Sequence, residues 1–139
     1  MLITRKAEFS ASHVCADPRL STEENERLYG RESRPLGHGH NYVVEVTVCG
    51  DVDPVHGMVL DLKALKEIIR EQVLDVYDHR FLNHEVPPFD RIVPTAENVA
   101  RDIWQRLKDP IGRLGPALHS IRLHESDDLF VEYSETPAP

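Results

Sequence analysis

His38-Gly39-His40-Asn41-Tyr42-Val43-Val44-Glu45-Val46-Thr47-Val48-Cys49 is the stretch that decides the fold. Alternation along an extended chain puts His38, His40, Tyr42, Val44, Val46 and Val48 on one face, and the β-branched content favours a strand. The aromatic and aliphatic part of that face demands a cover, while two imidazoles stand side by side at its other end. One element thus predicts both a half-buried sheet and a place for chemistry.

Upstream, Leu2 to His13 predicts a second strand, with Ala7, Phe9, Ala11 and His13 on one side and Lys6, Glu8, Ser10 and Ser12 on the other. Residues 14–37 carry no sustained period and contain Pro18, Gly30, Pro35 and Gly37, which predicts a long functional loop. Within it, the polar run from Ser21 to Tyr29 has room for one or two helical turns. Downstream, Gly50 to Gly57 reads as a turn and Asp61 as the N-cap of a helix carrying Leu62, Leu65, Ile69, Val73 and Val76 inward. A second helix begins near Thr95, turns Val99, Ile103, Trp104 and Leu107 inward, and is predicted to stop before Pro110. Two further strands, Leu118 to Glu125 and Leu129 to Tyr133, flank a turn at Asp127 and Asp128. The order ββααββ predicts an α+β fold of four strands with both helices on one face, residues 1–139 forming one domain. The bare sheet face and the strand edges then need covering, so a homo-oligomer is expected.

Composition narrows the function classes. The chain has 139 residues, 40% hydrophobic and 29% charged, which are ordinary globular proportions. Its longest stretch without Asp, Glu, Lys or Arg is the ten residues from Pro35 to Val44, about half of a bilayer span. Met1 to Lys6 leads into Ala7, Glu8 and Phe9 without the apolar run of a secretory signal, so a cytoplasmic location and no membrane partner are expected. Net charge is −8 with no basic cluster, which argues against nucleic acid. Cys15 and Cys49 are expected to be free thiols.

The 8 histidines carry more information than the cysteines. His38 and His40, spaced by two on a strand, can reach one ion, and His13 joins them if the first two strands pair. Three His with an open fourth position would suit a catalytic zinc; flanked by Gly37 and Gly39, the pair would equally suit a solvated turn. Asp78 beside His79 is the composition of an oriented general acid or base, or of a surface turn after a helix. Glu125, near a strand end, is either an anchoring carboxylate or a solvated edge residue.

Seven collinear segments turn these alternatives into a resemblance. They are Phe9-Ser10-Ala11-Ser12-His13, Leu20-Ser21 with Glu23-Glu24-Asn25, Gly37 to Tyr42, Asp53-Pro54 with Gly57-Met58-Val59, Asp78-His79-Arg80 with Leu82-Asn83, Thr95 to Ala100, and Glu125. Together, from about Ile3 to Tyr133, they resemble the 6-pyruvoyltetrahydropterin synthase and 6-carboxytetrahydropterin synthase family. The resemblance implies a tunnelling fold, with four-stranded antiparallel sheets joined into a barrel in homotrimers or homohexamers. It implies a pterin triphosphate substrate and a zinc ion (Zn2+) on His13, His38 and His40. It further implies Asp78 and His79 in a catalytic relay, Glu125 as the pterin anchor, and Thr95 and Glu97 beside the pterin pocket. A carboxylate suits the anchor because a pterin presents two parallel N–H donors.

One position departs from the family pattern. The slot a few residues before Gly37-His38-Gly39-His40, where the family keeps a catalytic Cys, holds Glu32. Cys15, two residues from His13, is the alternative thiol, and a small buried Cys is the commoner fate of such a residue. A carboxylate is ionised at neutral pH but weakly basic, so it suits a hydroxyl acidified by zinc better than a carbon acid. The expected reaction is therefore retro-aldol cleavage of 7,8-dihydroneopterin triphosphate to 6-hydroxymethyl-7,8-dihydropterin, with Glu32 as base. Formation of the 6-carboxy or 6-pyruvoyl tetrahydropterin is the alternative, and a non-enzymatic pterin-binding protein is the alternative of another class. Arg27, Arg31, Arg34 and Arg80 are the charge-based candidates for the triphosphate.

Overall fold

A computed structural model of the chain describes residues 1–135. The first two strands, β1 (Leu2–His13) and β2 (His38–Cys49), pair antiparallel without a break from Leu2 opposite Cys49 to His13 opposite His38. Twelve matched pairs fix the register, and a slip by one residue would turn Val44, Val46 and Val48 out to solvent. The loop between the strands contains α1 (Thr22–Tyr29) and a 3₁₀ turn (Gly30–Ser33). Helix α1 starts in a capping box: Ser21 Oγ accepts from the Glu24 N–H at 3.2 Å, and the Glu24 carboxylate accepts from the Ser21 N–H at 2.8 Å.

Helix α2 (Leu62–Ile69) is capped by Asp61, whose carboxylate accepts from the Lys63 N–H, and continues through a π turn (Arg70–Leu74) into α3 (Asp75–Tyr77). The wider π turn shifts the inward phase. Leu65, Ile69 and Val73 are buried as expected, but Tyr77 is fully buried in place of Val76, and Leu62 faces solvent. Two short elements follow, β3 (Arg80–Phe81) and α4 (Leu82–Glu85), and then α5 (Ala96–Gly112), capped by Thr95. Contrary to expectation, α5 runs through Pro110 for two more residues. Pro110 removes one backbone donor in the last turn, and burying Ile111 against the sheet outweighs that loss.

Strands β4 (Ala117–Ser126) and β5 (Leu129–Tyr133) complete a sheet of order β3-β1-β2-β4-β5. The sheet has five strands where four were expected. The four long ones are antiparallel, and the two-residue β3 runs parallel to Ala11 and Ser12 of β1. A two-residue strand leaves no periodicity in a sequence, so alternation could not have found it. One sheet face carries Phe9, Tyr42, Val44, Val46, Val48, Ile121 and Leu123 against the α2 and α5 side chains, all buried. The other face is polar: Glu45 lies 2.9 Å from Lys6 and 3.1 Å from His124, with Arg122 bridging to Glu132.

A candidate metal centre beside a buried carboxylate

The β1–β2 register brings His13 opposite His38, with His40 one alternation further along the same face. One ring nitrogen from each lies within 4.8 Å of the others, and the Nε2 atoms of His13 and His38 are 3.1 Å apart. His13 is fully buried, and its Nδ1 sits 2.7 Å from the Pro94 carbonyl. A carbonyl only accepts, so Nδ1 carries the hydrogen and the Nε2 lone pair faces the other two rings. Burial foremost holds the His13 imidazole down to about 4, and burial also lowers His40, so both are neutral at physiological pH. His40 Nε2 is buried without a hydrogen-bond partner. Three imidazoles, two of them held neutral by burial and one with an unused buried nitrogen, fit a divalent metal ion.

Glycine at 37 is a geometric requirement of this arrangement. Its φ is +71°, and a Cβ there would stand 2.9 Å from the His13 carbonyl oxygen, so only glycine lets the returning loop place His38 against His13. Two buried or half-buried amides hold the rest of that loop. Asn25 accepts from the Asp17 N–H at 2.8 Å and donates back to the Asp17 carbonyl at 3.0 Å. Asn83 does the same to Val14, at 2.8 and 2.9 Å. Each amide satisfies the donor and acceptor of one loop residue, a role that spacing does not announce.

Glu125 extends the same face from β4. It falls where the β4–β5 register shifts, between His124 and Ser126, and its side chain is only 10% exposed. Its carboxylate lies 4.0 Å from His40 Nε2. Burial, followed by the charge of Glu32, raises its pKa above the ordinary carboxylate range. Thr95 caps α5, with its hydroxyl accepting from the Asn98 N–H, directly after the carbonyl that holds His13. Glu97 is exposed in the first turn, and its charge acts on both Glu125 and Cys15.

Glu32 lies in the 3₁₀ turn, on the rim of this group. Its backbone carbonyl accepts the Cys15 N–H at 2.9 Å, and its charge acts on His13, His40, Tyr42 and Glu125. Cys15 itself is buried, 3.9 Å from His13 Nδ1, and burial pushes its thiol up to about 12. At neutral pH it is therefore a thiol with almost no thiolate. Cys49 is free and exposed on the last residue of β2, at the far end from the histidines.

Asp78 and His79 stand elsewhere. They dock on the outer edge of β1, where Asp78 Oδ1 accepts from the Ser10 N–H at 2.9 Å and the His79 N–H donates to the Ser10 carbonyl at 2.6 Å. His79 takes a left-handed backbone, φ +60°, and its Nδ1 is 3.0 Å from Asp78 Oδ2. The Ser10 N–H foremost, then His79, holds the Asp78 carboxyl below its usual range. Among the described residues no hydrogen bond or ion pair joins this pair to the three histidines. His40 of the first group and His79 of the second border one cavity of about 510 Å3, lined also by Ser10, Ser12, Asn41 and Arg80. Arg80 pairs with Glu85 at 3.3 Å, while Arg27, Arg31 and Arg34 are exposed. No helix among the described residues is long and apolar enough to cross a membrane.

A sheet covered on one side by helices, with three imidazoles and a largely buried carboxylate at one end, defines an α+β protein with a candidate metal site. Residues 2–136 match the family model described as 6-pyruvoyl tetrahydropterin synthase, and the chain belongs to that family of enzymes, with its tunnelling fold. A 6-pyruvoyl tetrahydrobiopterin synthase from Poecilia reticulata is 46% identical over 94% of this chain and 88% of its own. A putative 6-carboxy-5,6,7,8-tetrahydropterin synthase from Archaeoglobus fulgidus is 35% identical over 95% of this chain and 94% of its own. The solved structure of 6-pyruvoyl tetrahydropterin synthase from Caenorhabditis elegans superposes with a TM-score of 0.90 at 36% identity, over 98% of this chain and 96% of that one.

Proposed function

We propose that the protein is a zinc-dependent lyase acting on the side chain of 7,8-dihydroneopterin triphosphate, with 6-pyruvoyltetrahydropterin as its product. The observation that carries the reading is the convergence of three imidazoles with a largely buried carboxylate 4.0 Å away, in a chain whose relatives include a 46% identical pyruvoyl synthase. His13, His38 and His40 would hold the metal, which supplies Lewis acidity toward the side-chain hydroxyls when bound. Glu125 accepts the two parallel N–H groups of the pterin, which offsets the cost of its burial. Glu32, at the rim, takes a proton from the substrate side chain. His79, oriented by Asp78, returns one.

Asp78 and His79 face outward from β1, and that strand is open from Leu2 to Phe9 because β3 covers only Ala11 and Ser12. On the opposite edge, Leu129 and Phe130 of β5 are exposed. Edge-to-edge joining of copies would cover both, so the working unit is a homotrimer or homohexamer in which the pair serves a site shared between copies.

A second reading rests on Glu32. With Cys15 held as a neutral thiol, the acid–base group beside the histidines is a carboxylate. A carboxylate can take the proton of the second side-chain hydroxyl; the bond between the first and second side-chain carbons then breaks, and its electron pair passes to the dihydropterin and is reprotonated. The products are 6-hydroxymethyl-7,8-dihydropterin and the triphosphate of glycolaldehyde. The close relatives favour the pyruvoyl product over this cleavage, reversing the order expected from the sequence.

Mass spectrometry of the products from the wild type, Glu32→Ala and Glu32→Cys separates the readings. A pyruvoyl product with free triphosphate supports the first. A hydroxymethyl product lost in Glu32→Ala supports the second. A carboxy product, or no turnover by the zinc-loaded wild type, overturns both.

A further inference from the structure

Tyr42 follows the last of the three histidines on the same face of β2. It is fully buried, its ring stacks on Phe9 with centroids 5.0 Å apart, and its edge meets His40 at 5.3 Å. Its hydroxyl has no hydrogen-bond partner among the described residues. A buried hydroxyl without a partner is costly, and phenylalanine would keep every ring contact without that cost. The oxygen therefore needs an acceptor that the present arrangement does not supply.

The strand register shows which acceptor is at hand. Val43 pairs with His124, so Tyr42 stands opposite Glu125, and both side chains lie on the helix-covered face. Glu125 sits at the register shift between β4 and β5, where the backbone can re-aim its side chain. The charge that acts most strongly on the Tyr42 hydroxyl is also that of Glu125, ahead of Cys15 and Glu32. A carboxylate offers about four lone-pair directions, so it can face two pterin N–H groups and still accept from a hydroxyl behind it.

We propose that Tyr42 is a positioning residue for pterin binding, its hydroxyl donating to the Glu125 carboxylate when that carboxylate turns to meet the ring. The inference rests on the reading of Glu125 as the pterin anchor. Tyr42 does not touch the substrate; it fixes the rotamer of the group that does, so its effect falls on binding and leaves the chemical step.

The test is a double-mutant cycle on zinc-loaded protein with Tyr42→Phe, Glu125→Gln and the pair. Affinity for 6-hydroxymethylpterin is read by fluorescence, with zinc content, melting temperature and steady-state kinetics measured alongside. Tyr42→Phe is expected to weaken binding about tenfold and raise KM similarly, with kcat within about twofold. Zinc content should be unchanged and the melting temperature equal or higher, because an unpartnered hydroxyl has been removed. In the Glu125→Gln background the same change should cost less than about twofold. Binding within twofold of the wild type, a full tenfold loss in the Glu125→Gln background, or loss of zinc would overturn the proposal. Failure of the wild type to bind the pterin overturns the anchor reading first and this inference with it.

Discussion

The three histidines and the Asp78–His79 pair differ in almost every physical respect, although β1 supplies one of the histidines and docks the pair. The first group lies on the covered face, sealed at His13, where burial holds the imidazole neutral. The second lies on the open edge, with 83% of the His79 side chain exposed and the Asp78 carboxyl stabilised in its charged form by a backbone N–H. Burial takes one set of imidazoles away from water; exposure on an edge leaves the Asp78 carboxylate and the His79 ring free to meet something that arrives. A single chain thus preforms its candidate metal centre and leaves its candidate proton relay unfinished.

Removing one imidazole tests the first half of that contrast and has the largest expected effect. His38→Ala leaves two ligands and should lower zinc content to background and kcat/KM by about 10³-fold or more, read by metal analysis and by turnover. Full zinc retention would break the assignment of the site. Asp78→Asn keeps an oxygen for the Ser10 N–H but loses the charge that orients His79. The expected result is a fall in kcat of about 10²-fold with zinc content intact. Because the native Asp78 carboxyl titrates below the usual range, it stays ionised as pH falls from 7 toward about 4. The acid limb of the wild-type kcat profile over that interval should therefore reflect other groups, and an Asp78 titration near pH 6 would contradict the geometry.

How much of this was legible in the sequence follows the same division. The covered face was readable because alternation and burial coincide: Phe9, Ala11 and His13 on β1, and His40, Tyr42 and Val44 on β2, share the face that their spacing assigns. The convergence of His13 with His38 and His40 follows once those strands pair. The edge was not readable. Strand β3 has two residues, the left-handed backbone of His79 carries no glycine to advertise it, and the clamp from Asn83 to Val14 joins residues 69 apart in sequence. The π turn that replaced Val76 by Tyr77, and the extension of α5 past Pro110, are tertiary packing overriding local propensity.

Asn83 is the covalent neighbourhood's link between the two regions, since it follows the Asp78–His79 segment and its amide brackets Val14, next to His13. Asn83→Ala removes both bonds and leaves the Val14 N–H and carbonyl short of partners. A loss of about 2 kcal/mol in unfolding free energy is expected, with zinc affinity weakened several-fold as the end of β1 loosens. Chemical denaturation and competitive chelator titration would measure the two. Unchanged zinc affinity would show that the metal centre is held by the β1–β2 ladder alone, which would sharpen the separation between the regions.

The smallest effect is expected at Cys15, whose thiol sits 3.9 Å from His13 and yet has the least chemistry to offer. Its thiol is held near 12 by burial, so less than about one molecule in 10³ is thiolate at pH 8. Its backbone N–H donates to the Glu32 carbonyl at 2.9 Å, and that bond survives in Cys15→Ala. Turnover should stay within about twofold of the wild type, and alkylation at pH 8 followed by peptide mass spectrometry should mark Cys49 well before Cys15. A loss of tenfold or more in Cys15→Ala, with Glu32→Ala still active, would move the base from the loop carboxylate to the buried thiol. It would also mean that the sealed region supplies its own acid–base chemistry and does not depend on the exposed rim.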